Sequence, residues 1–340
     1  MVTTYGTGIL KSKNFKYKKM QNRRTFMKSA ALAAAAISGG QLVHAKNSSA
    51  SPVIQEHPTR ELFFDISLAQ WSLNKKLFGK ELDNLDFPAY TKDKFDIHAV
   101  EYVNQFFKDA DTAYIKELLK RTQDIDVKNV LIMIDGEGNL GDTDEEKRKK
   151  AVENHYRWVE HAHILGCHSI RVNAGGRGTA EEVAFSATRS LRTLSQFAAD
   201  YGINVIVENH GGYSSRASWL VDVIRNTGMV NCGVLPDFGN FIVDRRPGGE
   251  KYDLYLGMKE LMPLAKGVSA KSHNFDEEGN EVDKDFYRLL KIVKDAGFRG
   301  YVGIEYEGRD LSQDEGIMAT KKLLIKAGKA LMEADSEEQA

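Results

Sequence analysis

Residues Asn204–Asp237 read NVIVENHGGYSSRASWLVDVIRNTGMVNCGVLPD. A short β-branched run, Asn204–Val207, is followed at once by Glu208-Asn209-His210. An amphipathic stretch, Arg216–Asn226, then stops at Thr227-Gly228, and a second apolar run, Gly233–Leu235, leads to Pro236-Asp237. Continuous apolar runs too short for helices, separated by a helical period, are the signature of a parallel βαβ unit. A glycine just past the helix supplies the left-handed residue that ends it. Each strand of the unit hands over a carboxylate where it stops.

The same unit repeats along the chain. Apolar runs rich in β-branched and aromatic residues occur near Phe63–Trp71, Ala99–Val103, Asn129–Ile134, Ser169–Val172, Asn204–Val207, Gly233–Leu235, Gly267–Ala270 and Val302–Ile304. Helical patterns lie between them, among them Asp144–Leu165, Thr179–Tyr201, Arg216–Asn226 and Lys284–Ala296, with a last one from about Asp314 to Glu333. Glycine stops follow at Gly166, Gly202, Gly228 and Gly297. Eight strands and about as many helices in this length predict an α/β fold, a single (β/α)8 TIM barrel over residues 61–334. A doubly wound sheet would want a Gly-rich phosphate turn after an early strand. Asp135-Gly136-Glu137-Gly138 lacks the third, helix-opening glycine of that motif. Residues 46–60 read as a polar tether and 335–340 as a charged tail.

The first 45 residues carry eight basic side chains, and no acid precedes Glu56. They lead into the small apolar run Ala30–Ile37 and then Val43-His44-Ala45, the pattern of a cleaved signal peptide. Asn22-Arg23-Arg24-Thr25-Phe26-Met27-Lys28 resembles a twin-arginine signal, which implies Tat export of the folded protein to the periplasm. Met20–Ala45 alone makes a normal signal length, so the start at Met1 or Met20 stays open. Eight apolar residues fall well short of the roughly 20 that span a bilayer. No cysteine follows them, so no stable membrane anchor is expected.

Charge follows the same division. The whole chain has 47 basic and 48 acidic residues, a formal charge of −1. Without the signal, 39 basic residues face 48 acidic ones, a formal charge of −9. A domain this acidic is repelled by nucleic acid, whose binding is mostly phosphate neutralisation. Cys167 and Cys232 form no disulfide framework or zinc-finger spacing, and both read as core. Forty-two per cent hydrophobic residues supply a sizeable core, which excludes a disordered chain.

Barrels keep their chemistry at the C-terminal ends of the strands. The last four strands end in Glu208, Asp237, His273 and Glu305, separated by 29, 36 and 32 residues. Each gap is one β/α unit, so the four side chains are expected to converge on one side of the mouth. Three carboxylates gathered there repel one another unless a cation neutralises them. Three oxygen donors and an imidazole nitrogen suit one divalent metal ion, with Mn²⁺ expected and Mg²⁺, Co²⁺ or Zn²⁺ as alternatives.

Glu208-Asn209-His210 after the fifth strand, Asp237 after the sixth, His273 after the seventh and Ile304-Glu305-Tyr306-Glu307-Gly308 at the eighth resemble the xylose isomerase-like TIM-barrel superfamily of sugar isomerases and epimerases. The resemblance covers about residues 60 to 332. It implies metal ligation by Glu208, Asp237, His273 and Glu305. It also implies acid/base roles for Glu208 and Glu305 on opposite faces of a small-molecule sugar, and a homodimer or homotetramer. The residues alone allow the same chemistry: proton abstraction next to a carbonyl through an enediolate. Three fates stay open. The expected one is isomerisation or epimerisation of an unphosphorylated keto sugar. The alternative is β-elimination from a 3-keto-glycoside, a lyase or hydrolase outcome that export favours. The third is a non-catalytic carbohydrate-binding barrel. One departure from the family is Asn240, where relatives often carry histidine in Asp-x-x-His. A cluster of three zinc ions would need more histidines than remain outside the signal, the tether and the helix that carries His155, His161 and His163.

Seven further residues are candidates for substrate contact. His210 either meets sugar hydroxyls or caps its loop. Lys271 either stabilises an oxyanion or pairs with a carboxylate. Asn240 and Asn173 suit sugar hydroxyls. Glu101 holds substrate or is structural. Trp71 is an apolar wall or plain core. Arg309 suits a phosphate, but no glycine nest accompanies it.

Overall fold

The computed structural model describes residues 61–108 and 111–338, with side chains as far as Glu333 and Ala334. The signal and tether read from residues 1–60 lie outside the described residues. Eight strands alternate with helices: β1 Asp65–Ala69, β2 Ala99–Val103, β3 Lys128–Met133, β4 Ser169–Val172, β5 Asn204–Glu208, β6 Cys232–Leu235, β7 Val268–Ser272 and β8 Tyr301–Tyr306. All adjacent pairs are parallel, from β1 through β6 on one side and through β8 to β7 on the other. The ring closes between β6 and β7 through the bridges Val234–Ala265 and Asp237–Ser269. There Ser269 N donates to Pro236 O at 2.9 Å and Phe238 N to Ser269 O at 3.0 Å. The expected (β/α)8 barrel is the fold.

Nine helices are assigned among the described residues: α1 Asn74–Phe78, α2 Phe87–Phe95, α3 Thr112–Asp124, α4 Glu145–Leu165, α5 Ala180–Ala199, α6 Ala217–Thr227, α7 Leu254–Leu261, α8 Phe286–Asp295 and α9 Gln313–Glu338. Sequence-local caps set their ends. Asp144 accepts from Glu146 N and Lys147 N, and Thr179 forms a reciprocal capping box with Glu182. Gly166 and Gly228 end α4 and α6 with φ of 74° and 64°, where a side chain would be strained. The first strand is shorter than its apolar run, because Gln70–Leu73 turn into a 3₁₀ helix that leads directly into α1. No helix among the described residues is long and apolar enough to cross a membrane.

Two apolar layers result. The larger packs the outer strand faces against the helices, with Phe64, Val100, Val207 and Ile304 among its members. The smaller fills the barrel interior with Ala69, Val103, Leu131, Met133, Ile206 and Leu235. Strand alternation places Ser269 and Lys271 of β7, Glu208 of β5, Arg171 of β4 and Glu305 of β8 above that interior layer. The apolar plug is the floor of the site.

Candidate active site

Glu208, Asp237 and Glu305 come together. One carboxylate oxygen from each lies within 4.8 Å of the others, and the three residues are 1 %, 0 % and 5 % exposed. His273 does not join them. β7 ends at Ser272, and the backbone N–H of His273 donates to Glu281 Oε1 at 3.2 Å, which turns the chain outward. The imidazole Nδ1 then stands 3.2 Å from Lys284 Nζ and 3.9 Å from Glu281 Oε1, while Lys284 Nζ donates to Glu281 at 2.6 Å. The imidazole expected as a fourth ligand thus lies outside this group of carboxylates, and the inward positions of β7 are Ser269 and Lys271.

Those two residues complete the cluster. Ser269 Oγ lies 2.7 Å from Asp237 Oδ2 and 2.8 Å from Glu305 Oε2. Lys271 Nζ is 3.7 Å from Asp237 Oδ2, 3.4 Å from Glu305 Oε1 and 2.9 Å from Glu307 Oε1. The reading of Lys271 as a partner of the carboxylates is therefore what the geometry shows. Ser269 was missed; its signal was its place two residues before Lys271, on the same strand face.

A second chain of polar contacts runs from β4. Arg171 Nη1 donates to Asp135 Oδ1 at 2.8 Å, and its Nε stands 3.0 Å from Glu208 Oε2. Asn173 Nδ2 donates to the same Asp135 oxygen at 2.8 Å, and its Oδ1 is 3.1 Å from His210 Nδ1. Asn240 Nδ2 donates to Glu208 Oε1 at 2.9 Å. Asn173 and His210 thus orient each other beside Asp135, while Asn240 orients the acid.

Glu101 lies within the barrel at 1 % exposure and accepts from Ser67 Oγ at 2.6 Å. It fills the space above Gly303, where a Cβ would come within 2.5 Å of its carboxylate. Trp71 joins the interior cluster and meets Phe78 and Phe106 at ring centroid distances of 6.1 and 6.3 Å. Arg309 is exposed on the loop after β8. Beside the mouth, a cavity of about 370 Å³ is lined by residues that include Gly175, Gly211, Tyr213, Arg216 and Glu250. That is within the size range of small-ligand sites.

The electrostatics separate the carboxylates. Burial pushes Glu208 up to about 7; Arg171 opposes the rise and Glu305 adds to it. Burial raises Asp237 to about 7 as well, with Lys271 opposing and Glu208 adding. Glu305 is buried too, yet Lys271, Ser269 and Arg171 outweigh burial and hold it below the usual carboxylate range. Burial and then Arg171 lower His210.

The three carboxylates fit a divalent cation. They offer hard oxygen donors at a suitable spacing. Arg171 Nε and Glu208 Oε2 face each other without hydrogen-bond alignment, so this buried oxygen has no aligned donor on it.

The sequence profile of the Xylose isomerase-like TIM barrel family matches residues 93–327. The chain belongs to that family. Among solved structures, an L-ribulose 3-epimerase superposes with a TM-score of 0.63 at 14 % identity, over 82 % of this chain and 98 % of the other. A 3-keto-D-glucoside 4-epimerase from E. coli gives 0.55 at 16 % identity, over 78 % and 99 %. A xylose isomerase-like protein from Mycobacterium smegmatis, solved with magnesium, gives 0.55 at 16 % identity, over 70 % and 86 %. At these identities the likeness is one of fold. The C-glycoside deglycosidase alpha subunit of Arthrobacter globiformis is 35 % identical over 78 residues, which is 22 % of each chain.

Proposed function

We propose that the protein is a sugar isomerase or epimerase that abstracts a proton next to the carbonyl of an unphosphorylated keto sugar. The observation that carries this reading is the placement of two buried carboxyl groups at one barrel mouth, Glu208 held by Asn240 and Arg171 and Glu305 held by Ser269 and Lys271. Two carboxyl groups whose surroundings drive their protonation apart are what a base and an acid sharing one substrate require. Glu305, kept ionised beside Lys271, takes the proton. Glu208, which burial raises to about 7 so that part of the population carries a proton at neutral pH, returns one to the opposite face and so inverts the centre. Asn240 and Arg171 hold Glu208 in place, and Leu131, Met133, Ile206 and Leu235 form an apolar floor in the barrel interior. Glu208, Asp237 and Glu305 would hold a divalent ion, Mn²⁺ or Mg²⁺ suiting oxygen donors best, whose chemistry when bound is to polarise the carbonyl. The signal-like segment supports a periplasmic site of action, which a fusion of residues 1–60 to a reporter that requires export tests.

A second reading is favoured by the partial match to a deglycosidase subunit: elimination of the aglycone from a 3-keto-glycoside after the same proton abstraction. Incubation with Mn²⁺ and either free keto sugars or 3-keto-glycosides in D₂O separates the two. Deuterium next to the carbonyl with the glycosidic bond intact supports the first, and released aglycone supports the second. Absence of exchange in wild type and Glu208→Gln alike overturns both.

A further inference from the structure

The residue at the centre of the acidic cluster is a lysine whose position is built into the backbone around it. The stem of Lys271 lies against Gly239, where a Cβ would come within 2.9 Å of Lys271 Cδ and 3.1 Å of its Cγ. Any side chain at 239 would push the lysine aside. With 3 % of its surface exposed, Lys271 sets its ammonium between Glu307 on one side and Glu305 and Asp237 on the other. The Glu307 side chain is 31 % exposed, whereas those of Glu305 and Asp237 are 6 % and 0 % exposed, so the three acids run from the rim inward.

We propose that Lys271 is a resident counter-cation that competes with a divalent metal ion for Asp237 and Glu305, and that Glu307 is the outer seat its ammonium takes when metal enters. The proposal rests on the reading that Glu208, Asp237 and Glu305 hold a metal ion. An ammonium group has three donors and no free electron pair, so it serves as a charge beside these oxygens and never as a ligand. Like charges repel steeply at such separations in a water-poor site, so metal and ammonium cannot both lie close to the same two oxygens. The long flexible stem allows the head to move while its carbons stay packed. The 2.9 Å contact with Glu307 is already shorter than the 3.4 and 3.7 Å contacts within, so the outward position is partly taken before any metal arrives.

The test is Mn²⁺ binding, read from the electron paramagnetic resonance signal of the free ion, for four metal-stripped chains at one neutral pH. These are wild type, Lys271→Gln, Glu307→Gln and the double variant. Removing the ammonium is expected to tighten Mn²⁺ binding at least tenfold. Removing the outer seat should weaken it at least threefold when Lys271 is present and leave it unchanged in the double variant. An affinity in Lys271→Gln equal to or weaker than wild type overturns the proposal. So does an equal loss from Glu307→Gln in both backgrounds, because the Glu307 charge would then act on the metal without the lysine. If Lys271→Gln does not fold, unchanged or tighter binding by Glu307→Gln alone overturns it. Failure of all four folded chains to bind Mn²⁺ overturns the metal-holding reading itself, a result distinct from equal binding by all four.

Discussion

Asn240 donates from Nδ2 to Oε1 of Glu208 at 2.9 Å, and both residues are buried. The residue is fixed in turn, because its backbone carbonyl accepts from Ser215 Oγ at 2.7 Å and Asn209 Nδ2 at 3.3 Å. A residue read from sequence as a contact for a substrate hydroxyl is thus a clamp on the proposed acid. Asparagine carries no proton for catalysis, but it fixes which way the carboxyl points.

Asn240→Ala is expected to lower the rate of solvent deuterium incorporation about 10- to 100-fold, the usual cost of losing an orienting partner. The loss should fall on kcat with little change in KM, since the asparagine touches the acid. Loss of a donor to the ionised form also moves Glu208 further upward, so the basic limb of the rate profile shifts to higher pH. A KM effect with unchanged kcat would return Asn240 to the substrate.

Arg171 is the only cation within 4 Å of Glu208 among the described residues, and it also holds Asp135. Replacement by methionine keeps most of the volume and leaves two mostly buried carboxylates without their counter-charge. Removing one partner of a buried pair costs about 3–5 kcal/mol. Urea unfolding of Arg171→Met well above pH 7, where wild-type Glu208 is ionised, in chelator, should show a loss of that order. A loss under 1 kcal/mol would mean that Asp135 and Glu208 are already neutral in the native state.

The architecture was legible because each element carries its own signal. The run Asn204–Val207 became β5 with one residue added, and Asp144 and Thr179 cap the helices that were read as starting on them. Glu208 and Glu305 could be found from unit spacing because they lie at strand ends on the inward face, and Asp237, two residues past β6, is still held in register by its bridge to Ser269. His273 could not be judged that way. Its distance from Glu305 is right, but it falls one residue beyond the end of β7, where alternation no longer fixes direction. What turns it is Glu281, eight residues on, and a loop contact of that kind leaves no period in the sequence. Asp135 was passed over for the opposite reason: it was weighed as part of a failed glycine motif and not as a partner for Arg171, which lies 36 residues away.

His273 and Asp237 should therefore behave differently toward metal. Asp237→Asn removes one of three clustered carboxylates and is expected to weaken Mn²⁺ binding by about 100-fold or more. His273→Ala should change it by no more than about threefold, the size of a rim electrostatic effect. Calorimetric titration of both variants decides this. An equal loss from the two would place the imidazole on the metal after a rearrangement of the 273–285 loop.

Glu101 supplies a prediction that needs no substrate. It is buried, and among the described residues Ser67 is its one hydrogen-bond donor and its Oε2 has no hydrogen-bond partner. Burial first, then the charges of Glu305 and Glu208, push its carboxyl from 4.5 up to about 7. The sign of the effect on stability follows. Below about pH 4.5 the group is neutral in the native and unfolded chains alike and costs nothing. Between there and about 7 the unfolded chain ionises while the native one holds its proton, so stability falls as pH rises. Above 7 the whole difference remains, about 3 kcal/mol for a shift of this size. Glu101→Gln keeps the shape and removes the titration. Its stability relative to wild type should therefore improve by about 2–4 kcal/mol between pH 4.5 and 8, whatever fixed offset the amide adds. Urea melts of the two proteins in chelator across that range measure the difference directly. A difference that stays flat with pH would mean that Glu101 is ionised in the native barrel, its charge met by Arg171 through a rearranged interior.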